Sequence, residues 1–136
     1  MNAEKVIFIC LTIAIGAAIT PFVTMYTIYE VDRIYRLNNT PIASNITVTI
    51  DYGNGTIENH YDLAANTPLK ALQLVAVVSI QSSIYGDYVD GINGHFGDTT
   101  HGWGYEVNNV SVMDAASDYI LGNNDRVLWE YFLFEW

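Results

Sequence analysis

The residues of this chain with potential for chemistry are few and concentrated. His60, His95 and His101 are its only imidazoles, and His95-Phe96-Gly97-Asp98-Thr99-Thr100-His101 puts two of them and a carboxylate on one short glycine-containing segment. Two imidazoles and a carboxylate could ligate zinc, but that needs ligands fixed at ~2 Å in set geometry, which a glycine-rich loop does not hold on its own. Asp87, Asp90 and Asn93 recur every third residue and offer oxygen donors to a hard cation, without the two-residue spacing and twelfth-position glutamate of an EF-hand. There is no nucleophile elbow, phosphate-cradling glycine loop or HExxH pattern. The expectation is therefore no catalytic residue, no resident metal and no cofactor. The only cysteine, Cys10, sits in an apolar run and has no partner for an internal disulfide.

Aromatic residues carry the stronger signal. In "GWGYEVNN", Trp103, Tyr105 and Val107 share one phase of a strand, with Gly102 and Gly104 on the other. In "VLWEYFLFEW", Val127, Trp129, Tyr131 and Leu133 form one row, and Leu128, Phe132, Phe134 and Trp136 form a second, with Glu130 among them. A sheet with one solvated face needs only the first row. The second row packs on a helix, or is exposed for a partner or the lipid interface. Trp103, Tyr105, Trp129, Phe132, Phe134 and Trp136 are the expected ligand or partner contacts.

The elements that must position these residues follow from periodicity. Val6 to Tyr29 lacks any charged residue and is long enough, at ~1.5 Å rise per residue, to cross a ~30 Å hydrocarbon layer. It reads as a transmembrane helix kinked at Pro21, with a cleaved signal peptide as the rival reading. Ile28, Val31 and Tyr35 continue helical spacing to about residue 37, and residues 38–45 read as a short stalk.

Beyond it, Ile46, Val48 and Ile50 alternate with Thr47, Thr49 and Asp51. Asn54-Gly55 makes a tight turn, and Thr56 to Leu63 returns as the second strand of a hairpin. Thr67-Pro68 caps a helix whose stripe is Leu69, Leu72, Val75, Ala76 and Ile80. A third strand ends near Ile92, a fourth carries Trp103, Asn108-Asn109 turns, Asp114 to Tyr119 forms a helical turn, and Arg126 to Phe134 is the last strand. The resulting expectation is an α+β fold: a β-grasp-like mixed sheet packed on one helix, over residues 46–136.

These motifs resemble the transcobalamin-C-terminal-like domain, a small β-grasp module of bacterial and archaeal surface proteins. The resemblance spans about Ile46 to Tyr131 and rests on the hairpin, "TPLKALQLVA", "YVDGING", "GWGYEVNN" and "DRVLWEY". Trp103, Tyr105, Val107, Asn108, Asp125, Val127, Trp129 and Tyr131 stand at the family's motif positions. Asn109 replaces the family's usual glycine at the turn. The related domain of transcobalamin closes over a corrinoid held by a helical barrel, for which this chain has no room.

The formal net charge is −10 over 136 residues. It lies downstream of Asn38, where Lys70 and Arg126 are the only basic side chains, so a nucleic-acid partner is not expected. Four N-x-S/T sequons, at Asn38, Asn45, Asn54 and Asn109, follow the apolar run and point to a glycosylated, extracellular C-terminal domain on a single-pass membrane anchor. The expected function is a non-catalytic binding module that docks on other protein subunits or self-assembles. It would be an accessory subunit of a membrane complex or a surface recognition domain. Two alternatives are a pilin-like filament subunit, suggested by "IGAAITP" after Glu4, and a small-ligand domain of corrinoid type.

Overall fold

A computed structural model describes residues 21–84 and 86–134, and the chain divides into two units between Asn39 and Thr40. In the first unit, α1 runs Pro21–Asn39. Its second half carries Glu30, Asp32, Arg33 and Arg36, with an exposed Arg36–Asp32 ion pair at 3.0 Å one turn apart.

Among the described residues no helix is long and apolar enough to cross a membrane. This overturns the expected single-pass placement with an extracellular C-terminal domain. Of the expected span only Pro21 to Tyr29 falls in α1, which continues into the charged residues from Glu30; the earlier part of the apolar run, Cys10 and all of the pilin-like segment but Pro21 lie outside the described residues.

The second unit begins with β1, Ala43–Asp51, and β2, Ile57–Ala65, paired antiparallel. The turn between them is built as its sequence requires. Gly53 and Gly55 take φ of +69° and +89°, the Gly53 N–H donates to Asp51 Oδ1 at 2.9 Å, and the Thr56 N–H donates to Asn54 Oδ1 at 2.9 Å. Asn45 and Asp62, at φ of 57° and 56°, absorb register shifts farther along the ladder.

Helix α2 is short, Pro68–Gln73. Thr67 caps it by accepting from the Lys70 N–H at 3.2 Å, and Pro68 fills the first helical position. Strands β3 (Val78–Ser83), β4 (Gly86–Ile92) and β5 (His95–Phe96) form a three-stranded sheet. Strands β6 (His101–Val107), β7 (Val110–Ser111) and β8 (Arg126–Leu133) join the hairpin in a five-stranded sheet of order β2-β1-β8-β6-β7. The first and last strands of this unit, β1 and β8, pair in parallel from Thr47↔Arg126 to Asp51↔Glu130, and β6 lies antiparallel on the other side of β8.

The architecture is mostly β, and it corrects the expected helix-packed β-grasp sheet. The helix anticipated through Ile80 stops at Gln73, because Val77-Val78-Ser79-Ile80 is β-branched and serine-containing and finds a partner in β4. Ala115 to Tyr119 makes a single turn, with the Tyr119 N–H donating to Ala115 O at 3.2 Å.

The core joins both sheets and α2. Ile46, Val48 and Ile50 of β1 and Val127 and Trp129 of β8 are almost wholly buried, with Leu72 of α2 and Ile92 of β4. Each such side chain contributes about 1.5–3 kcal/mol through removal from water. Backbone bonds from Leu69 N to Ala116 O (3.1 Å) and Leu121 N to Asn66 O (2.9 Å) tie the irregular 112–125 segment to the α2 region.

Candidate functional site

The alternation that buries Ile46, Val48 and Ile50 continues one step past β1 to Tyr52, which is 8% exposed. There the inner face of the sheet turns from aliphatic to aromatic. Trp103 and Tyr131 are cross-strand partners on β6 and β8, with ring centroids 5.3 Å apart. Tyr52 meets the Trp103 ring edge-on at 5.6 Å, and His95 of β5 meets Tyr131 edge-on at 4.3 Å. His101 stacks on Tyr131 with 7° between the planes. Two polar bonds lock this cluster: Trp103 Nε1 donates to His95 O at 2.8 Å, and the Tyr131 hydroxyl donates to Phe96 O at 3.1 Å.

Beside the cluster opens a hollow of about 360 Å³, lined by Tyr52, Asn54, Thr56, Glu58, Asn93, Gly94 and His95. Its wall is preorganised. The Tyr52 hydroxyl donates to Glu58 Oε1 at 3.2 Å and accepts from Asn93 Nδ2 at 2.8 Å, while Asn93 Oδ1 accepts from the Val77 N–H at 2.9 Å. Burial raises the Tyr52 phenol above its ordinary value; the Asn93 hydrogen bond opposes this and the Glu58 carboxylate reinforces it. The phenol is therefore a neutral bridge between Glu58 of β2 and Asn93 of the β4–β5 turn.

The 95–101 segment, the candidate zinc loop, is organised by Asp98. Asp98 Oδ1 accepts from the Thr100 N–H (2.6 Å), the Thr100 hydroxyl (2.8 Å) and the His101 N–H (2.8 Å). These donors, the Thr100 N–H foremost, hold its carboxyl down to about 2. The ordering is complete above the ordinary carboxyl value of 3.8 and is lost as pH falls through about 2. The amide shifts of Thr100 and His101 in an NMR pH titration should report a midpoint near 2. A midpoint near 4 would show a carboxylate free of those donors. No group of three or more His, Cys, Asp or Glu residues placed to hold a metal ion occurs among the described residues. Asp87 accepts from the Ser82 hydroxyl at 2.7 Å, and Asn93 is committed to Val77 and Tyr52.

The expected contact residues separate into three groups. Trp129 is 2% exposed and Tyr105 is 9% exposed; they stack at 5.2 Å in the core, and the Tyr105 hydroxyl donates to Asp114 O at 2.7 Å. Trp103 stands half-buried in the aromatic cluster, edge-on to Tyr52, and does not itself line the hollow. Phe132 and Phe134 lie on the opposite face, packed edge-on at 5.3 Å over Gly102 and Gly104, where a Cβ would fall 2.4 Å from Phe134 Cζ and 2.7 Å from Phe132 Cε1. That is what the glycine phase of β6 provides: a groove for these two rings. Trp136 lies outside the described residues.

The sequons are spread along the chain. Asn38 is at the end of α1, Asn54 in the β1–β2 turn and Asn109 in the β6–β7 turn, while Asn45 donates through Nδ2 to Asn124 Oδ1 at 2.7 Å. Tyr52, Glu58 and Asn93 were not among the expected contacts. Tyr52 was the recoverable one, since it extends the Ile46-Val48-Ile50 phase.

This two-sheet unit with its aromatic hollow is similar in fold to solved structures. Residues 66–132 match a family described as a domain of unknown function, DUF4430. No curated protein matches the chain. Among solved structures, a Ruminococcus gnavus ATCC 29149 protein carrying the provisional description of a metal binding protein is similar, with TM-score 0.58 and 18% identity over 67% of this chain and 98% of that one. Haptocorrin in complex with Cbi is similar with TM-score 0.58 and 12% identity over 69% of this chain. The likeness spans 26% of haptocorrin. These likenesses show a fold shared with the Ruminococcus gnavus protein and with part of haptocorrin, a coarser statement than the transcobalamin-C-terminal-like assignment that the motifs resemble.

Proposed function

We propose that the second unit is a non-catalytic binding domain that takes a small hydrogen-bonding ligand in the hollow beside Tyr52. The observation that carries this reading is the Tyr52 hydroxyl held between Glu58 and Asn93, which fixes a carboxylate and an amide at an open concavity before any ligand arrives. Tyr52 and His95, packed edge-on against Trp103 and Tyr131, supply the aromatic part of its lining. Glu58 and a net charge of −10 favour neutral or cationic ligands over anions.

A corrinoid is the second reading, favoured by the likeness to haptocorrin. At about 360 Å³ and open to one side, the hollow would cover one face of such a ligand and leave the other to a different wall.

Amide-shift mapping of the full chain against a panel of neutral and cationic fragments, with cobinamide included, tests both. Saturable shifts at Tyr52, Glu58, Asn93 and His95 that weaken at least about tenfold in Glu58→Gln, as expected for loss of a charged hydrogen-bonding partner, support the hollow. Shifts elsewhere, or none, overturn it, and a flat response to cobinamide alone removes the corrinoid.

A further inference from the structure

We propose that the chain self-associates through the open edge of β2, pairing antiparallel with a second copy about a two-fold axis at Asn59. β2 is an outer strand of the five-stranded sheet, nine residues long, whereas the opposite edge, β7, has two. It contains neither lysine nor proline, the usual guards of an exposed edge. The bulge at Asp62 confines straight pairing to Ile57–Tyr61.

Hydrogen-bond parity fixes which groups are on offer. The Tyr52 N–H donates to Thr56 O at 3.1 Å, and the ladder pairs Ile50 with Glu58 and Val48 with His60, so these residues aim their backbone groups at β1. In an antiparallel ladder the alternate residues Ile57, Asn59 and Tyr61 then turn their N–H and C=O groups to the open side.

Charge then selects the register. An axis at Glu58 sets Glu58 against its own mate, and an axis at His60 sets Glu58 against Asp62; like charges directly opposite are destabilising. An axis at Asn59 sets Glu58 against His60 and Ile57 against Tyr61, each twice by symmetry. Among the described residues of one copy His60 Nε2 has no hydrogen-bond partner and lies 3.5 Å from Glu58 Oε2, and this register sets the second copy's Glu58 opposite the same residue in place of a like charge. On the outer face, Ile57 is 55% and Tyr61 65% exposed, a β-branched and aromatic pair that would cover each other.

Disulfide trapping of the full chain in a Cys10→Ser background tests this without any ligand, so it stands apart from the fate of the hollow. Asn59→Cys places two thiols across the axis at a Cβ separation of about 4.5–5.5 Å, close enough to bridge with slight adjustment. Ile57→Cys places its pair roughly 14 Å apart at ~3.4 Å per residue. Under mild oxidation Asn59→Cys should cross-link at least about tenfold faster than Ile57→Cys, and a mixture of Ile57→Cys and Tyr61→Cys chains should cross-link as well. Asn59→Pro deletes the outward N–H and also the bond that Asn59 Oδ1 accepts from the Thr49 hydroxyl at 2.8 Å, so its comparison is Asn59→Ala, which loses the same side-chain bond but keeps the N–H; association should be about tenfold weaker in Asn59→Pro than in Asn59→Ala. Equal rates for Asn59→Cys and Ile57→Cys, faster trapping at Glu58→Cys or His60→Cys, or a sedimentation profile that stays monomeric at every concentration would each overturn the proposal.

Discussion

Trp129→Ala is expected to destabilise the second unit by about 3–5 kcal/mol, a large share of the stability of a domain this size. The indole is 2% exposed, lies beside Ile50 across the parallel ladder, and stacks on Tyr105. Removing it opens a void at the join of both sheets. Trp129→Phe should behave differently. Trp129 Nε1 is buried and has no hydrogen-bond partner among the described residues, a position that costs about 1–3 kcal/mol. Phenylalanine loses packing volume but also removes that unpaired donor, so a net cost below about 1.5 kcal/mol is expected. Urea denaturation of the two variants checks the pair: equal midpoints would show that the indole N–H is satisfied and that the ring's size is not what holds the core.

Gly53→Ala is the second large effect, and it links stability to the hollow. Gly53 has φ +69°, a left-handed conformation that costs an L-residue about 1–2 kcal/mol, and an added Cβ would lie 2.8 Å from the Tyr131 carbonyl oxygen. Backbone near the end of β8 yields less readily than a side-chain tip, so overpacking adds about 1–3 kcal/mol, for a total of about 2–5 kcal/mol. Gly55 provides the internal control: its φ is +89° but no described residue lies within 4 Å of where an alanine Cβ would sit, so Gly55→Ala should show the backbone cost alone. Because Tyr131 packs against His95 and Trp103, Gly53→Ala should also shift the aromatic side-chain resonances of the cluster, whereas Gly55→Ala should leave them in place. Thermal melts and aromatic NMR spectra of both variants measure the two effects.

Much of the strand pattern was legible because local chemistry dictated it. Asn54-Gly55 announced the first hairpin, Asn108 and Asn109 adopt φ of 53° and 67° at the second, and the Trp103 and Tyr131 phases met as cross-strand partners. What was hidden depends on distant pairing. Val75, Ala76 and Ile80 fit a helical stripe as well as a turn and strand, and only the presence of β4 decides for β3. The hollow was illegible for the same reason. Tyr52, Glu58 and Asn93 are separated in sequence, and one phenol hydroxyl joins them. Apolar length from Val6 to Tyr29 suggested a membrane span, but the described helix starts at Pro21 and runs on through the charges from Glu30 to its end at Asn39, and no described helix is long and apolar enough to cross a membrane.

The position of β8 has a consequence for biosynthesis. It is flanked by β1 and β6, so the middle of the large sheet is the last of its strands to leave the ribosome. Translation proceeds from the N-terminus, and until Arg126–Leu133 emerges the nascent chain holds a hairpin on one side and β6 on the other with no strand to join them. A stop codon just before Arg126 would therefore leave a product open to chaperones and proteases, not a smaller sheet.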